Sequence, residues 1–68
     1  MEIFAKRLKE LRQEKEDNAR DMGRLLGISH NAYLRYEHGN AQPTLESLVK
    51  LARHFNVTVD YLLGEAEV

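Results

Sequence analysis

From Asn18 to Gly39 the chain reads N-A-R-D-M-G-R-L-L-G-I-S-H-N-A-Y-L-R-Y-E-H-G, two short amphipathic helical patterns that meet at Leu26-Gly27-Ile28-Ser29. Gly23 keeps the first helix free of bulk where the second must cross it. Gly27 supplies a turn with φ > 0, a conformation that a side chain resists. Ile28 carries an apolar group into the crossing, and Ser29 offers a hydroxyl to cap the helix that follows. The hinge is therefore specified by its own residues, and the spacing predicts a helix-turn-helix. A second helix held nearly perpendicular to the first can stand out from the body. It can then enter a DNA major groove about 12 Å wide.

Outward from this stretch, helical periodicity accounts for nearly all of the chain and strand alternation for none of it. Phe4, Leu8 and Leu11 recur at i, i+4 and i+7, which predicts a first helix from about Ile3 to Lys15 with a charged outer face. Asn18 caps the second helix, which runs through Leu26 with Asp21 in its first turn, where a carboxylate suits the helix dipole. Ser29 caps the third, which ends near His38 with Gly39 beyond it. Pro43 stops helix from running through Asn40-Ala41-Gln42. Thr44 caps a fourth helix whose Leu45, Leu48, Val49, Ala52 and Phe55 form one stripe. Thr58 caps a short fifth through Leu63, closed by Gly64. Leu8, Leu11, Leu26, Ile28, Tyr36, Leu48, Leu51, Ala52, Phe55 and Leu62 are the expected core. One domain over 1–64 is expected, with 65–68 as a frayed tail.

Composition narrows the function classes. The chain has 68 residues, 43% of them hydrophobic, and no cysteine, so neither disulfides nor thiolate metal sites can staple it. No apolar run is long enough to span a bilayer and no signal-peptide pattern opens the sequence, so a soluble cytoplasmic protein is expected. His30, His38 and His54 fall on separate elements in no metal-ligand spacing. Ser29 and Ser47 lie in no nucleophile motif, and the glycines form no phosphate-cradling loop. The expectation is a non-enzyme with no metal, no cofactor and no small-molecule substrate. Net charge is −1, but the charge is unevenly placed. Residues 1–18 balance, 19–42 carry a small basic excess from Arg20, Arg24 and Arg35, and 43–68 are acidic. Binding to DNA should accordingly be modest and salt-sensitive.

Five short helices with this hinge resemble the phage-repressor and Cro-type helix-turn-helix family, often called the Xre family. The resemblance rests on L-K-E-L-R at Leu8 to Arg12, L-L-G-I-S at Leu25 to Ser29, Y-E-H-G at Tyr36 to Gly39, and Pro43. It extends through L-x-x-L-V-x-L-A at Leu45 to Ala52 and N-V-T-V-D-Y-L-L-G at Asn56 to Gly64. It implies an all-α, five-helix lambda-repressor-like domain that binds double-stranded DNA sequence-specifically, usually as a dimer on a pseudo-palindromic operator, and represses transcription by occlusion.

By the same resemblance His30, Asn31 and Arg35 read base edges, with Ser29, Ala32 and Leu34 at the groove margin. Their chemistry suits base reading, since Arg can fork onto guanine, Asn can bracket adenine, and His can donate to a guanine acceptor. The competing reading is a solvated polar face. Phosphate contacts are assigned to Asn18, Arg20, Asn40 and Gln42, then Arg24 and Tyr33, although Arg20 and Arg24 would also make an ordinary i, i+4 basic face. Arg12 and Glu37 match positions that the family pairs, implying an ion pair from helix 1 to helix 3. A weak homodimer would form near the fifth helix through Val57, Val59, Tyr61 and Val68, unless these residues only complete the core.

The chain also departs from the family pattern. Asp17, Asn18 and Ala19 stand where Leu then Thr-Gln is usual. Ala19 lacks the amide that would anchor to DNA backbone, and Asp17 lacks the apolar side chain that would staple the helix entrance, so that corner should be looser or repacked. These departures and the acidic C-terminal half leave open a second reading, a protein-interaction module that keeps the fold without binding DNA.

Overall fold

The computed structural model describes residues 2–67, which form α1 (Glu2–Lys15), α2 (Ala19–Leu26), α3 (His30–Glu37), α4 (Leu45–Phe55) and α5 (Val59–Leu63). Local chemistry sets most of these boundaries. Asn18, Ser29, Thr44 and Thr58 each take extended backbone geometry. Each accepts, through its side-chain oxygen, the backbone N–H three residues on: Asp21 at 2.8 Å, Ala32 at 3.1 Å, Ser47 at 3.1 Å and Tyr61 at 2.9 Å. One otherwise orphaned N–H at each helix start is satisfied in this way, a contribution of about 1 kcal/mol per cap. No helix of the described residues is long and apolar enough to cross a membrane.

Gly27 ends α2 at φ 71°, the left-handed geometry that the hinge requires. Gly23 serves a different purpose. A Cβ built there would lie 2.7 Å from the Ile28 carbonyl oxygen and 3.2 Å from the His30 nitrogen, so α2 and the start of α3 touch backbone to backbone.

The five helices enclose one core made of Phe4, Leu8, Met22, Leu26, Tyr33, Leu48, Leu51, Ala52 and Leu62, with α1 packed against α3, α4 and α5. Leu11, Ile28, Tyr36 and Phe55 close its margin and are partly buried. Two members of the expected α4 stripe lie elsewhere, and Val49 is one of them, half-buried outside the cluster. Leu45 is 74% exposed, because it occupies the first helical position after Thr44, beyond the reach of the core. Leu51, fully buried, faces the core instead.

The corner between α1 and α2 is repacked with polar groups. Asp17 Oδ2 lies 2.7 Å from His54 Nε2 on α4, and the Asp17 carbonyl accepts from Arg12 Nη1 at 3.3 Å. A polar bond to a distant helix thus stands where an apolar staple is missing. The C-terminal residues are also tied down further than a frayed tail would be. Arg7 donates to the carbonyls of Tyr61 and Ala66, the latter at 2.8 Å, its guanidinium lies 4.3 Å from the Tyr61 ring centroid, and Glu65 N–H reaches the Asp60 carbonyl at 2.9 Å.

Tyr33 is the largest fully buried side chain, and its hydroxyl donates to Glu37. Burial, and then the hydrogen bond to Glu37, push the phenol far above its ordinary value of 10.0. The sign for stability follows from linkage. Above about pH 10 the unfolded chain releases this proton while the folded chain keeps it, so stability is intact below that pH and falls as pH rises past it. Urea unfolding between about pH 8 and 11.5 should show this slope, at most about 1.4 kcal/mol per pH unit. Tyr33→Phe should flatten it. Equal slopes in the two proteins would remove Tyr33 as its source.

Candidate nucleic-acid interface

The hinge presents α3 with one stripe turned to solvent. Asn31 and Arg35, one turn apart, are exposed, and His38 at the helix end continues the same line. His30, Ala32 and Leu34 flank it half-buried, and Leu34 also packs on the core margin. Ser29 is exposed, with its oxygen occupied by the Ala32 N–H. His38 joins that exposed line at i, i+7 from Asn31, a placement the helical spacing encodes.

Beside the start of α3 an open cleft of about 240 Å³ is lined by Arg20, Arg24, Ile28, Ser29 and His30. Two arginines of α2 therefore share a concavity with the first residues of α3, an arrangement suited to a nucleic-acid phosphate. Arg24 is shared with Asp21, 3.3 Å away on the same helix. Because both side chains are largely exposed, that pair is weak and Arg24 can be redirected. Asn18 commits its Oδ1 to the α2 cap, while Asn40 and Gln42 are exposed in the loop that follows α3. Tyr33 is removed from the phosphate-contact set: it points into the core, with no exposed surface. An aromatic at helical spacing fits either face, and the hydroxyl partner that draws this one inward lies one turn further along α3.

Beneath the exposed stripe, Arg12 Nε meets Glu37 Oε2 at 2.5 Å and Arg12 Nη2 meets Oε1 at 3.1 Å, a forked pair that joins α1 to α3. The Glu37 side chain is 2% exposed and that of Arg12 18%. The bond to the Glu37 carboxylate outweighs burial and holds the Arg12 guanidinium protonated above its usual range. Among the described residues no buried side-chain nitrogen or oxygen lacks a partner.

With no residue from α2 or α3, Leu11, Asn56, Val57, Thr58, Tyr61 and Glu67 line an open cleft of about 470 Å³. Of the four residues expected at a dimer contact, Val57 and Tyr61 line this cleft and Val59 packs half-buried on the core. Val68 lies outside the described residues.

A hinge closed by glycine contact, a solvent-facing third helix and a five-helix body define a helix-turn-helix protein. The Helix-turn-helix family model matches residues 8–62, and this chain belongs to that family. Among curated relatives it is 32% identical to the cryptic phage CTXphi transcriptional repressor RstR of Vibrio cholerae, a match covering 96% of this chain and 59% of that protein. It is 40% identical to the HTH-type transcriptional regulator ImmR of Bacillus subtilis (strain 168), over 96% and 51%. It is 45% identical to the regulator AnsR of the same organism, over 85% and 50%. The chain thus spans about half to three fifths of the length of these relatives. Its fold matches that of the P22 c2 repressor, solved with synthetic operator 9T in the presence of Tl+, at a TM-score of 0.86 and 23% identity. That match covers 97% of this chain and 100% of the repressor chain.

Proposed function

We propose that this chain binds double-stranded DNA sequence-specifically and acts as a transcriptional regulator, most simply a repressor that occludes a promoter. The observation that carries this reading is the exposed Asn31–Arg35 stripe on α3, set beside the cleft that holds Arg20, Arg24 and Ser29. In the complex α3 lies in the major groove. Asn31 brackets an adenine, Arg35 forks onto a guanine, and His30 donates to a further acceptor. Ser29, Ala32 and Leu34 line the groove margin, while Arg20, Arg24, Asn18, Asn40 and Gln42 hold the flanking backbone. The relatives named as transcriptional regulators favour the same reading.

Binding-site selection on random duplex DNA is the test. Arg35→Ala should relax the preference at one position of the selected site and weaken binding there by about 1 to 3 kcal/mol. Uniform weakening on every duplex would make Arg35 a phosphate contact. With only Arg20 and Arg24 set to neutralise phosphates, the salt dependence should have a slope of about −0.9 for each, hence about −2 per protomer. Failure of the wild type to select any site, at any salt, would sink the proposal and favour a protein partner.

Two copies per site follow from energy. So few cations and one short helix do not reach the ~10⁻⁸ M affinity typical of specific binders, whereas two copies a helical turn apart on the duplex do. The α4–α5 turn, with Val57 and Tyr61 lining its cleft and Val59 packed beneath, is the contact assigned to that dimer. A single copy bound per palindromic site, without cooperativity at any concentration, would overturn it.

A further inference from the structure

Two stripes run along α3 at the same spacing. Asn31 and Arg35 face outward one turn apart; Tyr33 and Glu37 face inward one turn apart. The inward pair is joined by polar bonds. The Tyr33 hydroxyl donates to Glu37 Oε2, the same oxygen that takes Arg12 Nε at 2.5 Å, while Oε1 takes Arg12 Nη2 at 3.1 Å. The Tyr33 ring also packs edge-on against Tyr36, with centroids 6.5 Å apart. Helix α3 is only eight residues long, so few contacts govern its rotation about its own axis.

The apolar margin of α3 leaves that rotation loosely set, because burial is non-directional and the half-buried Leu34 and Tyr36 keep their contacts through a small roll. Hydrogen bonds are directional: the two from Arg12 reach across from α1 and resist the roll, while the one from Tyr33 lies within α3 and holds the Glu37 carboxylate in the orientation that Arg12 grips. A roll of about 20° would carry a side chain ~6 Å from the helix axis through about 2 Å. That exceeds the ~0.5 Å within which a recognition constellation has to be held.

We propose that Tyr33 is a positioning residue: through Glu37 and Arg12 it sets the roll of α3, and thereby the base selectivity of Asn31 and Arg35. This rests on the DNA-binding reading above. Tyr33 touches no base. Its hydroxyl acts on selectivity, and its ring acts on stability.

The test uses Tyr33→Phe, which keeps the ring and removes only the hydroxyl. Site selection with the wild type comes first. Wild type and variant are then titrated against the selected duplex, duplexes with single-base changes at the selected positions, and an unrelated duplex. The variant should lose about 3- to 10-fold in its preference for the selected duplex over the single-base variants, a fraction of what a bidentate base contact supplies. Its affinity for the unrelated duplex should stay within about 2-fold, since backbone contacts tolerate a small roll. Equal preference in variant and wild type overturns the proposal, as does the same loss on every duplex. Should Tyr33→Phe melt below the assay temperature, the same titrations are run below its melting midpoint. Glu37→Gln tests the shared link: it weakens the Arg12 fork, and undiminished preference there also overturns the proposal. A wild type that selects no site defeats the DNA reading together with this inference. A selective wild type matched by its variants defeats this inference alone.

Discussion

Replacing Arg12 with alanine is expected to remove about 3 to 5 kcal/mol of stability, because Glu37 is left as a charge inside the protein with only the Tyr33 hydroxyl as partner. A domain of 68 residues has about 3 to 10 kcal/mol in all, so most of the variant should be unfolded or close to it at physiological temperature. The loss belongs to the abandoned carboxylate more than to the attraction of the pair. Arg12→Ala with Glu37→Met should therefore recover part of what Arg12→Ala alone loses, since no charge is then left buried, while the Tyr33 hydroxyl gives up its acceptor. Arg12→Lys should fall between, keeping the charge but not the two-pronged geometry. Urea midpoints for the four proteins decide the matter. A loss under about 1 kcal/mol in Arg12→Ala would mean that water or Tyr33 satisfies Glu37 unaided.

The parts of the fold that are legible in sequence are those governed by near neighbours. Asn18, Ser29, Thr44 and Thr58 each bond a backbone N–H three residues away. A side chain that acts over three residues announces itself in three residues, and so the helix starts can be read directly. The Gly23 and Gly27 hinge is legible for the same reason: its geometry depends on a missing Cβ and on one φ of 71°.

What escapes such reading is set by tertiary contact. Asp17 and His54 stand 37 positions apart and show no shared pattern, yet they meet at 2.7 Å and close the corner that lacks its apolar staple. Arg7 likewise reaches across to the carbonyls of Tyr61 and Ala66, contacts that no local spacing encodes. Tyr33 shows the ambiguity at one position. Its hydroxyl suggests the wet face of α3 and its ring the dry one, and only the placement of Glu37 beside Arg12 turns it inward. Leu45 errs the other way: apolar and in phase with its stripe, it sits one residue past the cap, where the body does not lie beneath it.

Gly23→Val is expected to have the second large effect, and it separates the scaffold from the reading surface. The first atom added would fall 2.7 Å from the Ile28 carbonyl oxygen and 3.2 Å from both the His30 nitrogen and the Ser29 carbonyl carbon, all of them backbone. No rotamer change can relieve a clash with backbone, so the hinge must open or α2 must shift. Replacing a helical glycine ordinarily gains up to about 1 kcal/mol, and less for a β-branched residue. Overpacking of a tight site costs about 1 to 3 kcal/mol or more, and here it wins because the obstructing atoms belong to the turn itself. Gly23→Ala should show the same conflict at smaller size, with a net loss of about 1 kcal/mol or more. The disturbance should also be local: the obstructing atoms all belong to the turn and to the start of α3, so α3 loses its angle to α2 first. Amide hydrogen exchange is then expected to quicken across residues 27–37 first, and selectivity on duplex DNA to collapse before overall binding does. Wild-type stability and selectivity in Gly23→Val would mean that the two helices do not cross as closely as these distances require.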